Sequence, residues 1–311
     1  MEPVETACAL EELEGEIVKA SKGCECTLLS GGVDTSVIAA LHPQRERLRA
    51  ITVDMGGPDG TYAALAARRL GLKEHLIARP SLDEYLRAVD WVLVNFRTIE
   101  PVEVTCDVVH YLSISLARAM DCDCLLSGDG GDELFVGYTF LFRRPPEEVL
   151  RWVKERAGSS RLPTVEVGRL LGMEVRTPLY TEGTKKIALR LPVACFTDGN
   201  QGKLILREVL RRRNLEELAS RPKAPVNVGS ASMEVLKFLS AGASSEGLDF
   251  LPPSRAHAWL VHRLLSLTGL PPKTGDCPVC GRNMRGYSCP FCGAYVKEGR
   301  VVLHYSEEEP R

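Results

Sequence analysis

Apolar positions in the first part of the chain fall in short runs separated by longer amphipathic stretches. Leu10 to Ala20 repeats its apolar residues at helical spacing and predicts a short amphipathic helix. Thr27 to Leu29 is a strand-like run that stops at Ser30-Gly31-Gly32, and a helical pattern follows from Thr35 to Leu41. Leu48 to Val53 predicts a second strand, Thr61 to Leu70 an alanine-rich helix, and His75 to Ala78 a third strand. Val108 to Ala119 is again helical, and Leu125-Leu126 lead into a second glycine-rich turn at Ser127-Gly128. Strands and helices alternating in this way predict an α/β fold, a parallel sheet with helices on both faces. From Pro145 to Leu267 the pattern is mostly helical, broken by Pro163, Pro178, Pro192, Pro222 and Pro225. The pairs Pro252-Pro253 and Pro271-Pro272 bracket one last helix, His257 to Leu267, and the second pair reads as a linker to a short tail.

Composition narrows the class. The 311 residues are 44% hydrophobic and 26% charged, the mix of a globular protein with chain enough for about two domains. A net charge of -2 argues against nucleic-acid binding through bulk positive charge. No apolar run reaches the roughly 18–20 residues that span a bilayer. The glutamate-rich stretch Met1 to Ala20 lacks the apolar centre of a secretory signal, so a cytoplasmic protein is expected. Gln44 and Gln201 are the sole glutamines, which fits a thermophile's bias against labile amides.

Ser30-Gly31-Gly32-Val33-Asp34-Thr35 lies between a predicted strand and a predicted helix. Glycines let backbone approach an anion closely, and the N–H groups of a helix start point at it. Asp34 would repel a phosphate unless it holds a magnesium ion that bridges to it. By itself this segment is equally a glycine turn capped by Ser and Asp. The second loop, Ser127-Gly128-Asp129-Gly130-Gly131-Asp132-Glu133, changes that, because loops after parallel strands open on one edge of the sheet. Asp34 and Asp132 can then share one cation, and a nucleotide–magnesium site becomes the better reading.

With both loops in view, the chain resembles the ATP-dependent synthetase domain of the asparagine synthetase family. SGGVDT looks like that family's pyrophosphate loop, and SGDGGDELFVGY (Ser127 to Tyr138) is similar to its second glycine motif. GMEVRTPLY (Gly172 to Tyr180), GKLILREVL (Gly202 to Leu210) and RPKAPVNVGSAS (Arg221 to Ser232) resemble three further blocks in the family's order. The resemblance implies a PP-loop ATP pyrophosphatase fold with a helical C-terminal part, and an enzyme that adenylates a carboxylate for attack by ammonia or an amine. ATP and Mg2+ are the implied cofactors. Ser30, Gly31, Gly32, Asp34, Thr35, Gly128 and Asp129 match the phosphate-binding positions, Asp34 and Asp132 the magnesium carboxylates, and Val53 and Met55 the place of the adenine. Lys203 and Lys223 match lysines that face the phosphates, with Lys223 assigned to the α-phosphate. Glu174 is matched to a role in orienting or deprotonating the amine; an ordinary salt bridge with Arg176 is the competing account. The basic run after Lys203 (Arg207, Arg211, Arg212, Arg213) reads as a solvated helix face.

The sequence also departs from the family. Residue 2 is glutamate rather than the nucleophilic cysteine of an N-terminal glutaminase, and about twenty residues precede the first strand. The expected nitrogen source is free ammonia, another amine or a separate glutaminase subunit. Pro178 is followed by Leu179-Tyr180-Thr181 instead of the family's Phe-x-Asp, which leaves aspartate as substrate open.

The eleven cysteines divide by spacing. Cys277-Pro-Val-Cys280 and Cys289-Pro-Phe-Cys292 are paired knuckles that predict a structural, four-thiolate zinc ribbon. Arg282, Arg285, Lys297 and Arg300 make it locally basic, so a PP-loop tRNA-modifying enzyme that docks RNA on its ribbon is the competing function; the acidic balance weighs against it. Cys24 with Cys26, and Cys122 with Cys124, precede the strands that carry the two glycine loops. They are expected either to bridge across those strands as disulfides or to be ordinary buried cysteines. Cys8, Cys106 and Cys195 have no assigned role. The expected domains are an N-terminal helix (1–20), a synthetase-like domain (21–270) and the zinc ribbon (273–311).

Overall fold

The computed structural model describes residues 3–297 and 299–303; the side chains of residues 3–8 and 297 lie outside that description, and with them the Cys8 and Lys297 expectations. The chain divides into two compact units. The first comprises Met1–Asp54, Pro58–Ala78 and Ser113–Ala224, and the second Met55–Gly57, Arg79–Leu112 and Pro225–Arg311.

The first unit is built on a five-stranded sheet of β1 (Cys26–Leu28), β2 (Arg49–Val53), β3 (Glu74–Ala78), β4 (Cys124–Leu126) and β5 (Glu174–Arg176). The order is β3-β2-β1-β4-β5 and every pairing is parallel, so the α/β parallel-sheet expectation holds. Strand order reverses between β1 and β4, and at such a switch point a crevice opens beyond the carboxyl ends of the strands. Both glycine loops leave from there. Helix Pro3–Ser21 buries Leu10, Leu13 and Ile17 in the same core as Leu29, Val37, Leu126, Phe135 and Leu206. Each fully buried leucine there contributes about 1.5–3 kcal/mol. The N-terminal helix thus packs into the core of this unit.

At the amino ends of β1 and β4, Cys24 is bonded to Cys124 and Cys26 to Cys122, with Cα–Cα separations of 5.4 and 6.1 Å. Both lie inside the window of roughly 4.4–6.8 Å that a disulfide needs. Of the two expectations for these cysteines, the cross-strand bridge is the one the structure contains.

The second unit packs helices Leu82–Phe96, Ser232–Ser240 and Arg255–Leu267 and the 101–112 part of helix Pro101–Ala119 around Tyr85, Val89, Val92, Val108, Leu236 and Leu260. Leu82–Phe96 starts with a capping box, in which the Ser81 hydroxyl accepts from Glu84 N and the Glu84 carboxylate accepts from Ser81 N. The tail forms an antiparallel hairpin, β6 (Ala294–Lys297) and β7 (Arg300–Leu303). Its four knuckle cysteines lie in the same apolar cluster as these helices. Across the expected border at 270–273 the tail falls in the same compact unit as these helices. Among the described residues, no helix is long and apolar enough to cross a membrane.

Candidate active site

The two glycine loops approach each other so closely that side chains would not fit. A Cβ on Gly128 would come within 3.1 Å of Asp34 Cβ and 3.2 Å of Thr35 Cγ2, and one on Gly131 would collide with the Asp34 carboxylate. Gly31, at φ +74°, lies against the backbone of Tyr62. Ser30 Oγ accepts from Gly32 N at 3.1 Å, and Thr35 Oγ1 donates to Gly32 O at 3.3 Å. The loop is thereby folded onto the start of helix Val33–Leu41, whose first N–H groups and positive dipole end suit an anion.

Beside these loops four charged side chains converge from four separate stretches. Asp34 stands in the first turn of Val33–Leu41, and Asp132 in the first turn of Gly131–Leu134. Lys203 immediately precedes helix Leu204–Arg211, and Lys223 follows Pro222. Lys203 Nζ donates to Asp34 Oδ2 and lies 2.7 Å from Asp132 Oδ1, while Lys223 Nζ donates to Asp132 Oδ2. The backbone makes room for this. Lys203 sits at φ 59° with its N–H donated to Phe135 O at 3.0 Å, and a Cβ on Gly137 would collide with Asp132 and Lys203.

The charges are unevenly compensated. At Asp132 burial works to raise the pKa, but Lys203 and Lys223 outweigh it and hold the carboxyl below its ordinary range. At Asp34 burial dominates over the pull of Lys203, and the pKa is raised. Burial disfavours the Lys203 charge, yet Asp132 and Asp34 more than restore it and raise its pKa. Asp34 Oδ1 is buried with no hydrogen-bond partner. An under-compensated carboxylate oxygen beside a second carboxylate is the donor chemistry of a hard divalent cation.

Two buried arginines support the loops from behind. Arg221 is 4% exposed, donates from Nη1 to Ser30 O at 2.5 Å, pairs with Asp59, and stacks over Tyr62 at 4.2 Å. It pins the first loop to helix Pro58–Leu70. Asp59 carried no signal beyond an ordinary acidic residue at a helix start, whereas Arg221 lay within the Arg-x-Lys block without a role. Arg207, read as part of a solvated face, is instead buried and donates to Gly202 O (2.8 Å), Ala219 O and Arg221 O (3.1 Å). It ties the Lys203 turn to the Lys223 segment. Arg213, in the same run, pairs with Glu14 at 2.8 Å.

Other expected residues stand apart from the cluster. Asp129 Oδ2 accepts from Thr164 N and Oγ1 at 3.0 and 2.8 Å, which occupies it at the start of helix Pro163–Leu171. Glu174 opens β5 opposite Cys124, at the edge of the sheet away from the glycine loops. There it accepts from Arg176 Nε at 2.6 Å, and Arg176 Nη1 donates to Lys22 O. The structure does not bring Glu174 to the lysines but pairs it with Arg176. Val53 is buried at the end of β2, while Met55 belongs to the second unit, where its N–H donates to Ser230 O at 2.9 Å.

In the second unit Cys277, Cys280, Cys289 and Cys292 are all buried, with their sulfurs within 4.8 Å of one another. Two of the separations are 3.7 Å (Cys277–Cys292) and 3.6 Å (Cys280–Cys289). A tetrahedron with Zn–S bonds of about 2.3 Å has edges of about 3.8 Å, so the residues fit zinc.

The asparagine synthase family profile matches residues 21–172 and 168–249. Asparagine synthetase (glutamine-hydrolyzing) from Gallus gallus is 30% identical over 229 residues, 68% of this chain and 40% of that protein. The enzyme of the same name from Homo sapiens is 29% identical over 229 residues, with the same coverage. The chain therefore spans about two fifths of the length of these relatives. A crystal structure titled predicted subunit of tRNA methyltransferase, from Methanocaldococcus jannaschii, aligns with 64% of this chain and 92% of that one at 17% identity and a TM-score of 0.31. A likeness of that size carries no argument about function.

Proposed function

The chain belongs to the asparagine synthase family, and from that premise we propose that it is an ATP-dependent ligase that adenylates a carboxylate and passes the acyl group to ammonia or an amine. The observation that carries this reading is the convergence of Asp34, Asp132, Lys203 and Lys223 beside two glycine loops at the switch point of the sheet. Backbone N–H groups of Gly31, Gly32 and the helix start, with the Ser30 and Thr35 hydroxyls, bind the β- and γ-phosphates. Gly128 leaves room for them, and the end of β2 at Val53 receives the adenine. Asp34 and Asp132 hold Mg2+, which when bound supplies charge neutralisation to the phosphates. A carboxylate oxygen of the acid attacks the α-phosphorus, and the bond to the bridging oxygen breaks to release pyrophosphate. The nitrogen then attacks the acyl carbon, AMP departs with the C–O electron pair, and the amine loses a proton to solvent. Lys223, the more exposed lysine at 25% against 6% for Lys203, is placed to neutralise charge on the α-phosphate. The reaction depends on positioning and charge more than on covalent help from the protein. The nitrogen comes from ammonia, an amine or a partner glutaminase, and the reaction is cytoplasmic. The four thiolates hold zinc in a closed, non-catalytic site.

The test is pyrophosphate release from ATP and Mg2+ with aspartate and other acids, each with ammonia or glutamine. Acid-dependent release is expected, and Lys223→Ala should lower it by about 10²–10³-fold, the usual cost of removing one transition-state contact. Undiminished release by Lys223→Ala would overturn the site, and release that requires tRNA instead of an acid would overturn the function.

A further inference from the structure

We infer that zinc bound by Cys277, Cys280, Cys289 and Cys292 is the keystone of the whole second unit, and that the metal does not merely fold the tail. Each knuckle has its own local turn. Gly281 N donates to Cys277 O and Gly293 N to Cys289 O, both at 2.9 Å, with the glycines at φ 70° and 72°. Four protein thiolates close the coordination shell, so the ion is structural.

What sets this centre apart is how the second knuckle is used. Its backbone serves as the acceptor for the connection between helices Leu82–Phe96 and Pro101–Ala119. Ile99 N donates to Phe291 O at 2.7 Å, and Thr98 Oγ1 lies 3.3 Å from the same oxygen. Cys292 O stands 3.2 Å from His257 Nε2, on helix Arg255–Leu267. Gly293 has no room for a Cβ, because the buried Glu100 side chain fills that space. The first knuckle is clamped by Arg282, which is 3% exposed. Its guanidinium lies 4.4 Å over Phe291 and 5.2 Å over Phe250, and donates to Pro271 O and Cys280 O.

These contacts make the knuckles part of the core instead of an appendage on it. Phe291, Ala294 and the four cysteines share one apolar cluster with Tyr85, Val92, Ile99, Leu260 and Val261. Without metal, four buried thiols replace a fixed tetrahedron, and the knuckle loses the geometry that presents the Phe291 and Cys292 carbonyls. The Ile99 N–H is then left buried without its acceptor, a cost that falls on the helices. Metal binding free energy is thereby spent on the second unit as a whole.

The test uses the full chain with Mg2+ in excess. Metal analysis should find one zinc per chain, and a zinc-selective chelator should be followed by hydrogen exchange with peptide resolution. On zinc removal, amides of Ile99, helix Leu82–Phe96 and helix Arg255–Leu267 should exchange more than about tenfold faster together with the tail, while β1 and β4 keep their protection. Faster exchange confined to residues 273–303 would overturn the keystone, and protein without zinc would overturn the metal. Cys280→His, which retains a zinc-competent ligand set, should keep both zinc and helix protection; Cys280→Ser should lose both. None of these readouts depends on ligase activity.

Discussion

The two units use cysteine in opposite ways. In the first, two disulfides tie β1 to β4 across sequence separations of 100 and 96 residues. In the second, four thiols gather across separations of 9 and 15 residues for a metal. Closing a loop of about 100 residues removes about 4.7 kcal/mol of entropy from the unfolded chain and closing one of about 15 residues about 3 kcal/mol, so the short loops depend more on coordination for their stabilisation. The oxidation states are opposite as well, since the first unit needs disulfides and the second needs thiolates. The centres also differ in completeness. Four like ligands fit a closed zinc site, whereas the charged centre keeps Asp34 Oδ1 without a hydrogen-bond partner and its carboxyl pushed up by burial. One set of ligands fits a closed metal site, and the other leaves a carboxylate oxygen buried without a hydrogen bond beside two lysines.

The strongest way to break this comparison is Lys203→Ala. The buried ammonium lies between two partly buried carboxylates, and removing one partner of a fully buried ion pair costs about 3–5 kcal/mol, which sets the upper bound here. Denaturant unfolding should show that loss in the first unit, with zinc content unchanged. The loss should also depend on pH in a set direction. Without Lys203, the native pKa of Asp34, already raised by burial, rises further above its unfolded value, so the native state holds more protons and stability falls as pH rises. The deficit against the wild type should therefore shrink toward acid pH. A variant as stable as the wild type across that range would mean that the lysine does not hold the carboxylates together.

Reduction comes next in size. Full reduction of Cys24–Cys124 and Cys26–Cys122 should destabilise the first unit by about 2–4 kcal/mol, because the second bridge closes a loop that the first has already closed. At about 2–4 °C per kcal/mol for a domain of this size, calorimetry would resolve the shift. The zinc should stay bound, since its ligands are thiolates already. Thiol counting by mass spectrometry on unreduced protein checks the premise: four reactive thiols at positions 24, 26, 122 and 124 would remove the disulfides and the contrast with them.

The sequence made legible what local spacing dictates. The glycine loops, Asp34, Asp132 and the Cys-Pro-x-Cys knuckles could be read because close backbone approach and ligand geometry demand those residues within a few positions of one another. Lys203 and Lys223 could be placed through resemblance to a family, but nothing local says that both reach Asp132. Arg221–Asp59 and the burial of Arg207 could not be read, since each depends on where distant segments fold. An arginine in a run of arginines looks solvated until three carbonyls are found around it. Helix Leu82–Phe96 carried a readable capping box in Ser81-x-x-Glu84, a signal available and unused. The packing of the tail is illegible for a related reason. Proline pairs mark turns in the chain but do not report which core a tail packs into, and here the knuckles share the core of helices Leu82–Phe96 and Arg255–Leu267.

The smallest expected effect tests where the active centre ends. Glu174 and Arg176 resemble a functional pair by motif, yet residues two apart on a strand share a face and can satisfy each other. Their pair is 56% and 37% exposed, and Glu174 pairs in register with Cys124 at the start of β4. Exposed pairs contribute about 0.2–1 kcal/mol, so Glu174→Gln should lower stability by no more than that. Pyrophosphate release should stay within about twofold of the wild type, because the change is at the opposite end of β4 from the glycine loop, and 0.4 kcal/mol, roughly the size of the lost surface interaction, is a factor of about two. Arg176 also donates to Lys22 O, just before β1, so a combined loss in Arg176→Ala should exceed that of Glu174→Gln while still leaving the chemistry in place. A loss of release approaching that of Lys223→Ala in the glutamine variant would extend the reaction centre to the far edge of the sheet, and the division between a catalytic edge and a stapled edge would fail.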